Sequence, residues 1–436
     1  MALDTNFDES KEFVKFYVDL QVIIITVLIF VLALFLLLKK IGFKQEKVSK
    51  PFKFKVSILF ILILVFLKIS DFIIYNMPYL VLKSATEYYV DSKKLDAYAT
   101  KKNVNFNDAI RDENLEEELY VIILGESTSR SHLGLYNYYR NTTPKLDSLT
   151  NELLVYNNVI SPHVYSIGAI TKILTLGNYE NPKKISEGSI IQLLNQVGFN
   201  TYWLSNQRPL GPFESMITKI AMSSNYNKFI STEIAKYSKV LDGELLHEFN
   251  KVINNDIKKK VVFIHLMGTH YNYEYRYPET FNKFKNKPKT KFLTQESATK
   301  INQYDNAVLY NDFIISEIIS RLKDLNLNSF ALYFSDHGEE MYDDINLAGH
   351  NEDIYSKKMF EIPFFLWRSE KYKASKQLFF DADRPYMTDD LFHSIADLIS
   401  VKANLVDTTK SIFNKNFKSR KRIIKSTIDF DAYFNN

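Results

Sequence analysis

The sequence predicts an α/β protein, a mostly parallel sheet flanked by helices, preceded by an N-terminal transmembrane helical region. Three observations lead there. Short apolar runs such as Tyr120 to Leu124 and Ser329 to Phe334 alternate with longer helical patterns, as strands buried on both faces of a parallel sheet do. Both of these runs stop in polar clusters, Gly125-Glu126 in the first case and Ser335-Asp336-His337-Gly338-Glu339 in the second. Open α/β sheets place their ligands at such carboxyl ends of strands. Finally, Leu20 to Leu38 is apolar apart from Gln21 and Thr26, long enough to cross a bilayer core as a helix.

Composition narrows the function classes. With 46% hydrophobic and 24% charged residues, the chain of 436 residues is an ordinary folded protein and not a disordered one. The net charge of +4 is small and spread along the chain, so no nucleic-acid partner is expected. Cysteine is absent, which excludes a disulfide framework, a thiolate metal site and a cysteine nucleophile.

Residues 1–76 read as a membrane anchor of one or two transmembrane helices. The residues before Leu20 are acidic and no small-residue cleavage site follows Leu38, which argues against a signal peptide. Val56 to Leu67 is a shorter apolar run that reaches Tyr75 only by accepting Lys68 and Asp71, so it reads either as a second span or as a buried or interfacial helix. Lys39 to Lys55 holds seven lysines and one glutamate, whereas residues 1–19 hold five acids and two lysines. This asymmetry puts the lysine loop inside and, with two spans, everything beyond about residue 76 outside.

Residues 77–118 are polar and tyrosine-rich and read as an interfacial helix and connector. Tyr88, Tyr89 and Tyr98 suit either the headgroup level or packing. Residues 119–413 then carry the catalytic pattern. After the opening strand, helices are expected over Thr143 to Leu153, Ser166 to Leu176, Ile190 to Gly198, Ile301 to Leu325 and Thr388 to Ser400. Strands are expected over Leu154 to Ile160, Asn200 to Leu204, Val261 to Met267, Ser329 to Phe334 and Glu361 to Trp367. Residues 414–436 form a C-terminal tail, basic from Asn414 to Lys425, that reads as a solvated tail ahead of a specific site for anionic headgroups or lipopolysaccharide phosphates.

The chemistry concentrates at the two strand ends. Asp336 and His337 offer one oxygen and one nitrogen ligand suited to zinc, and Glu126 from the other strand adds a third. GESTSRSHLGLYNYYRNTTP and FSDHGEE together resemble the alkaline-phosphatase/sulfatase superfamily, and within it the membrane-bound phosphoethanolamine transferases that modify lipopolysaccharide in Gram-negative bacteria. The resemblance runs from about Leu119 to Val401, with several separated motifs in the expected order.

That resemblance implies a metal held by Glu126, Asp336 and His337, zinc first, with manganese or magnesium admitted by the oxygen-rich set. It places the nucleophile in SPHVYSIGAITKILTLGNYENP, where Ser166 matches the usual threonine and adds a hydroxyl to the metal set; Ser127, Thr128 and Thr171 are weaker candidates. Ser166 stands where a helix starts, so unpaired amides and the positive end of the dipole would face a phosphate. His270 and His350 match positions that contact substrate phosphate or a second ion. His132, His163, His247, His265 and His393 are left to structural roles.

Further implications are a phosphatidylethanolamine donor, a lipopolysaccharide or other glycan acceptor, and a bacterial inner-membrane location with the catalytic domain in the periplasm. Two departures from the family stand out: its frequent disulfides cannot form here, and related transferases usually carry more spans, which leaves a shortened membrane domain or missing first helices. A phosphoglycerol transferase of the lipoteichoic-acid-synthase type is the nearest rival, and a catalytically silent membrane-anchored binding protein is the rival from another class. The C/S-x-P-x-R motif that sulfatases modify is absent.

Overall fold

The computed structural model describes residues 24, 27–32, 34–35, 50–69, 98, 100–111, 115–209, 216–231 and 240–434. The chain forms two compact units, Met1–Lys93 with Leu210–Glu214, and Lys94–Pro209 with Ser215–Asn436. In the first unit the described residues are helical, among them α1 (Lys50–Ile69), which exposes Phe52, Phe54, Leu59, Leu62 and Phe66. The run Val56 to Leu67 is therefore the inner part of a longer helix whose ends bring in lysines. Among the described residues no helix is long and apolar enough to cross a membrane. Much of Leu20 to Leu38, most of 77–118, and Asp71 lie outside the described residues.

The second unit is built on seven strands: β1 (Glu118–Gly125), β2 (Leu153–Val155), β3 (Asn200–Ser205), β4 (Tyr226–Phe229), β5 (Lys259–His265), β6 (Asn328–Ser335) and β7 (Phe364–Arg368). Their order across the sheet is β2-β7-β6-β1-β5-β3-β4. Strands β6, β1, β5, β3 and β4 pair in parallel, and β7 runs antiparallel to both β6 and β2. The sheet is thus mixed, with five parallel strands running from β6 to the β4 edge and the antiparallel pairs at the β2 edge.

The unbroken apolar runs are explained by two cores. Tyr120, Ile122 and Leu124 of β1 face one core, where they meet α2 (Ser166–Leu174), α3 (Ile190–Gln196) and later α6 (Leu391–Leu398). Leu119, Val121 and Ile123 face the other, packed by α4 (Gly243–Ile253) and α5 (Gln295–Leu325). Because alternate side chains point to opposite faces, a strand covered on both sides has no polar face to show.

Several expected elements differ in extent. Leu154 to Ile160 is not one strand: the chain leaves the sheet after β2, and Val159–Ile160 pairs in parallel with Tyr386–Met387. The switch occurs at Asn157 and Asn158, whose backbone bonds to Ala382 and Tyr386 replace sheet pairing. The expected Thr143 to Leu153 helix reduces to Pro144–Ser148 and a 3₁₀ turn, with Asp312 taking the amides of Lys145 and Leu146. Helix α5 starts earlier than expected, at a capping box formed by Thr294 and Ser297. Between Leu204 and Val261 no element was expected. The exposed edge strand β4 and the amphipathic α4 lie there.

Tyr98 packs in the first core, which gives it a packing role. The reading of 414–436 as a solvated tail is corrected by the structure. Ile423–Ile424 and Ile428–Asp429 form a hairpin, Ile424 and Phe430 are buried, and Arg422 is 3% exposed. The apolar residues sit between the basic ones, and the hairpin turns them into a small core with Ile160, Val164, Met359, Phe360 and Met387. Arg420 bonds both Asp389 and Asp390, two buried acids, one of which, Asp389, is raised to about 7 by burial in spite of that guanidinium. Lys410, 3.7 Å from Asp390, stays behind if Arg420 is removed. Arg420→Ala is therefore expected to destabilise the domain by about 3 kcal/mol, the lower end for breaking a buried ion pair, as read by denaturant unfolding.

Candidate metal centre and active site

Strands β1 and β6 are parallel neighbours in a register that sets Gly125 opposite Ser335, so the residues following them, Glu126 and Asp336, emerge side by side. The turn after β1 is unusual. Ser127 takes a left-handed conformation (φ 54), a strained state for a serine. It is held there by the Asp336 carboxylate, which accepts its amide at 3.0 Å, and by the Tyr304 hydroxyl, which donates to its carbonyl at 2.8 Å. The loop after β5 lies directly on Glu126: a Cβ on Gly268 (φ +53) would stand 2.9 Å from the Glu126 backbone N and O, so only glycine fits.

The carboxylate of Glu126 accepts from Ser127 Oγ at 2.7 Å on one oxygen, and from Ser166 Oγ at 3.0 Å and Gln207 Nε2 at 2.8 Å on the other. Asp336 Oδ1 takes the amides of Ser127 and His337, leaving Oδ2 buried without a partner. His337 Nδ1 donates to the Gly338 carbonyl at 2.8 Å. Its Nε2, 3.5 Å from Glu126 Oε1 and 3.6 Å from Asp336 Oδ2, is likewise buried without a hydrogen bond. An unpartnered carboxylate oxygen and an unpartnered imidazole nitrogen beside a second carboxylate are costly unless a cation satisfies them. One ligand atom from each of Glu126, Asp336 and His337 lies within 4.8 Å of the others, and Ser166 Oγ adjoins them. This donor set fits a divalent ion of the zinc type.

The titration of these groups has the same origin. Burial and then the charge of Glu126 raise Asp336 to about 7. Burial works against a charge on His337, but Asp336 and Glu126 overcome it and raise the imidazole to about 10. Glu126 is held well below the usual carboxylate range by His337 in spite of full burial.

Around this centre, His350 Nδ1 bonds Glu339 at 2.7 Å, and its ring lies 4.3 Å from that of His337. His337, Glu339 and His350 form a second group with metal-ligand spacing. Burial lowers His270 to about 4, so its imidazole is neutral, with Glu126 and His350 among the charges acting on it. Arg276 Nε fixes its loop by donating to the His270 carbonyl at 3.0 Å. Ser166, the first residue of α2, therefore stands at the centre with Glu126, Asp336 and His337, and the two histidines flank it.

Thr171 is buried within α2 with no partner for its hydroxyl, away from the site contacts. The Thr128 hydroxyl turns back to the Glu126 carbonyl and Thr269. Sequence reasoning missed Gln207, Tyr304 and Glu339. A signal existed for Gln207, since Asn206-Gln207 follows β3 as Glu126 follows β1. His132 is held between Asp305 and Asp343, and His393 accepts the Asp407 amide, so both have structural partners.

Residues 118–401 match the sulfatase family. The phosphoethanolamine transferase EptC of Escherichia coli (strain K12) is 32% identical over 471 residues, covering 99% of this chain and 81% of that protein. The chain belongs to the phosphoethanolamine transferases of the sulfatase family. Another such transferase, CptA of Salmonella typhimurium, is 31% identical over 99% of the chain and 81% of its own length. The crystal structure of the C-terminal periplasmic domain of Escherichia coli EptC in complex with Zn superposes with a TM-score of 0.71 at 34% identity, covering 74% of this transferase and 95% of that domain. The match fits the α/β fold with its mixed sheet.

The donor geometry sets an expectation for metal binding. Elemental analysis of the purified protein should find a divalent ion, and Glu126→Ala and Asp336→Ala should each lose it. Gln207→Ala removes a partner of a ligand and not a ligand, so affinity should fall by only about 10-fold. Full occupancy in both carboxylate variants would remove those residues from the metal set.

Proposed function

We propose that this transferase moves phosphoethanolamine from phosphatidylethanolamine to a lipopolysaccharide acceptor, lipid A or a core sugar, in two displacements at Ser166. The observation that carries the reading is the Ser166 hydroxyl, 3.0 Å from Glu126 Oε2 and beside the unpartnered Asp336 Oδ2 and His337 Nε2. Glu126, Ser166, Asp336 and His337 would hold the ion. Zinc is favoured by the Zn complex of the related domain, and manganese or magnesium by the oxygen donors alone. Such an ion lowers the pKa of a hydroxyl and draws charge off phosphoryl oxygens.

In the first displacement Ser166 Oγ bonds to phosphorus, the bond from phosphorus to the glycerol oxygen breaks, and diacylglycerol leaves with a proton. In the second, an acceptor oxygen bonds to phosphorus, the bond to Oγ breaks, and the acceptor proton is released as Ser166 regains its own. Glu126 Oε2 orients the hydroxyl and is the acceptor nearest its proton. His270, kept neutral by burial, has an N–H to offer a phosphate oxygen without charge, and His350, oriented by Glu339, supplies a second donor or the proton for the leaving alkoxide.

Intact mass after incubation with phosphatidylethanolamine alone should show an added phosphoethanolamine on the wild type and none on Ser166→Ala. Ser166→Thr should keep activity, and His270→Ala should slow turnover by about 10²-fold or more, as for a lost transition-state donor, without preventing the adduct. An adduct that persists in Ser166→Ala and maps to Ser127, Thr128 or Thr171 would move the nucleophile.

For the same chemistry the anchor of residues 1–76 has to leave the catalytic domain on the periplasmic side of the inner membrane, which the lysine-rich 39–55 stretch supports. Reporter fusions within 42–49 and after Asn76 are expected to report opposite compartments. A cytoplasmic signal after Asn76 would contradict this arrangement.

A further inference from the structure

Three segments meet behind the nucleophile through side chains that the proposed chemistry does not use. His163 lies three residues before Ser166 and Glu352 two residues after His350. His163 Nδ1 is 2.9 Å from Glu352 Oε1, and the other Glu352 oxygen accepts the Val164 amide at 3.3 Å. His163 Nε2 is 2.9 Å from Nζ of Lys172, a residue of α2 that is 6% exposed. An ammonium has only donors, so Nε2 must accept and Nδ1 must carry the proton that goes to Glu352. The polarity of the chain is therefore fixed: Lys172 donates to His163, and His163 donates to Glu352.

The loop between Ser161 and Ser166 is tied on its other side as well. The Ser161 hydroxyl lies between the His163 carbonyl, at 2.8 Å, and the carbonyl of Asp336. The C-terminal hairpin closes the back of the network, since Lys425 N donates to the Pro162 carbonyl at 2.9 Å and Lys172 Nζ donates to Ser426 Oγ at 3.1 Å. Burial and the neighbouring Lys172 hold His163 below the usual imidazole range against the pull of Glu352, in keeping with a neutral ring in the middle of the chain.

We propose that Glu352, His163 and Lys172 are positioning residues that lock the Ser166 loop to the His350 loop, so that nucleophile and phosphate-binding imidazole present themselves to one phosphoryl group in fixed relative geometry. This rests on Ser166 as nucleophile and His350 as phosphate donor, and adds to that reading the pair of loops whose registration sets the rate. A displacement of about 1 Å in such a contact costs about 10²-fold.

The test is the single-turnover rate of adduct formation on Ser166 in the full-length protein, with phosphatidylethanolamine in detergent micelles at saturation. Metal content and thermal unfolding are measured on the same samples. Glu352→Ala should slow the adduct by between about 10- and 100-fold with metal and unfolding temperature retained. Glu352→Gln, whose Oε1 still accepts from His163 Nδ1, should recover most of the rate. Lys172→Met keeps the stem but removes the donor, frees the His163 tautomer, and should also be slow. This variant carries the comparison if Glu352→Ala does not fold.

Wild-type rates in the alanine and methionine variants, equal losses in Glu352→Gln and Glu352→Ala, or losses matching the unfolded fraction would each overturn the proposal. Ser166→Ala run in parallel separates the two readings. An adduct there overturns the nucleophile, whereas its absence together with a fast Glu352→Ala overturns only the positioning role.

Discussion

Two carboxylates, Glu126 and Asp336, are forced together in a dry interior by the parallel register of two central strands, and much of the site is arranged around that repulsion. With ligand atoms within 4.8 Å of each other, two full charges repel by roughly 3–4 kcal/mol even at an effective dielectric of about 20. In this structure the His337 imidazolium stands between them, while Asp336 Oδ2 has no hydrogen-bond partner. A divalent ion relieves the same repulsion with more charge, and the surrounding contacts leave the required atoms free for it. The Ser127 and His337 amides occupy only Oδ1 of Asp336, and the Gly338 carbonyl occupies only Nδ1 of His337.

The elements around this pair hold it against strain. Ser127 is left-handed because its amide must reach Asp336 and its carbonyl must meet Tyr304, which descends from the far face of the sheet on α5. Gly268 lets the β5 loop lie against the Glu126 backbone, where any side chain would intrude. Helix α2 delivers Ser166 from the opposite face, so the site is assembled from both layers of the fold. An open α/β sheet concentrates such contacts at the carboxyl ends of its central strands.

The C-terminal segment shows how composition alone misleads. Its lysines and arginines suggest solvation, yet Arg420 neutralises the buried Asp389 and Asp390, and Ile424 and Phe430 complete a small core. That core includes Val164, next to His163, so the last residues of the chain support the loop that carries the nucleophile. A tail with that many partners belongs to the catalytic domain.

Legible in the residues alone were the α/β class, the two strand ends that carry Glu126, Asp336 and His337, and the family motif that points to Ser166. These are local signals: apolar runs, an abrupt polar stop, and a short spacing of ligand types. The mixed sheet, the division of Leu154 to Ile160 between two sheets, and the roles of Gln207, Tyr304 and Glu339 around the site came into view with the folded chain. The same holds for His163, an ordinary histidine in sequence, whose partners Lys172 and Glu352 lie 9 and 189 residues away. Strand direction, edge pairing and the hydrogen bonds behind the ligands are set by which segments become neighbours, and no periodicity within one segment records its neighbours.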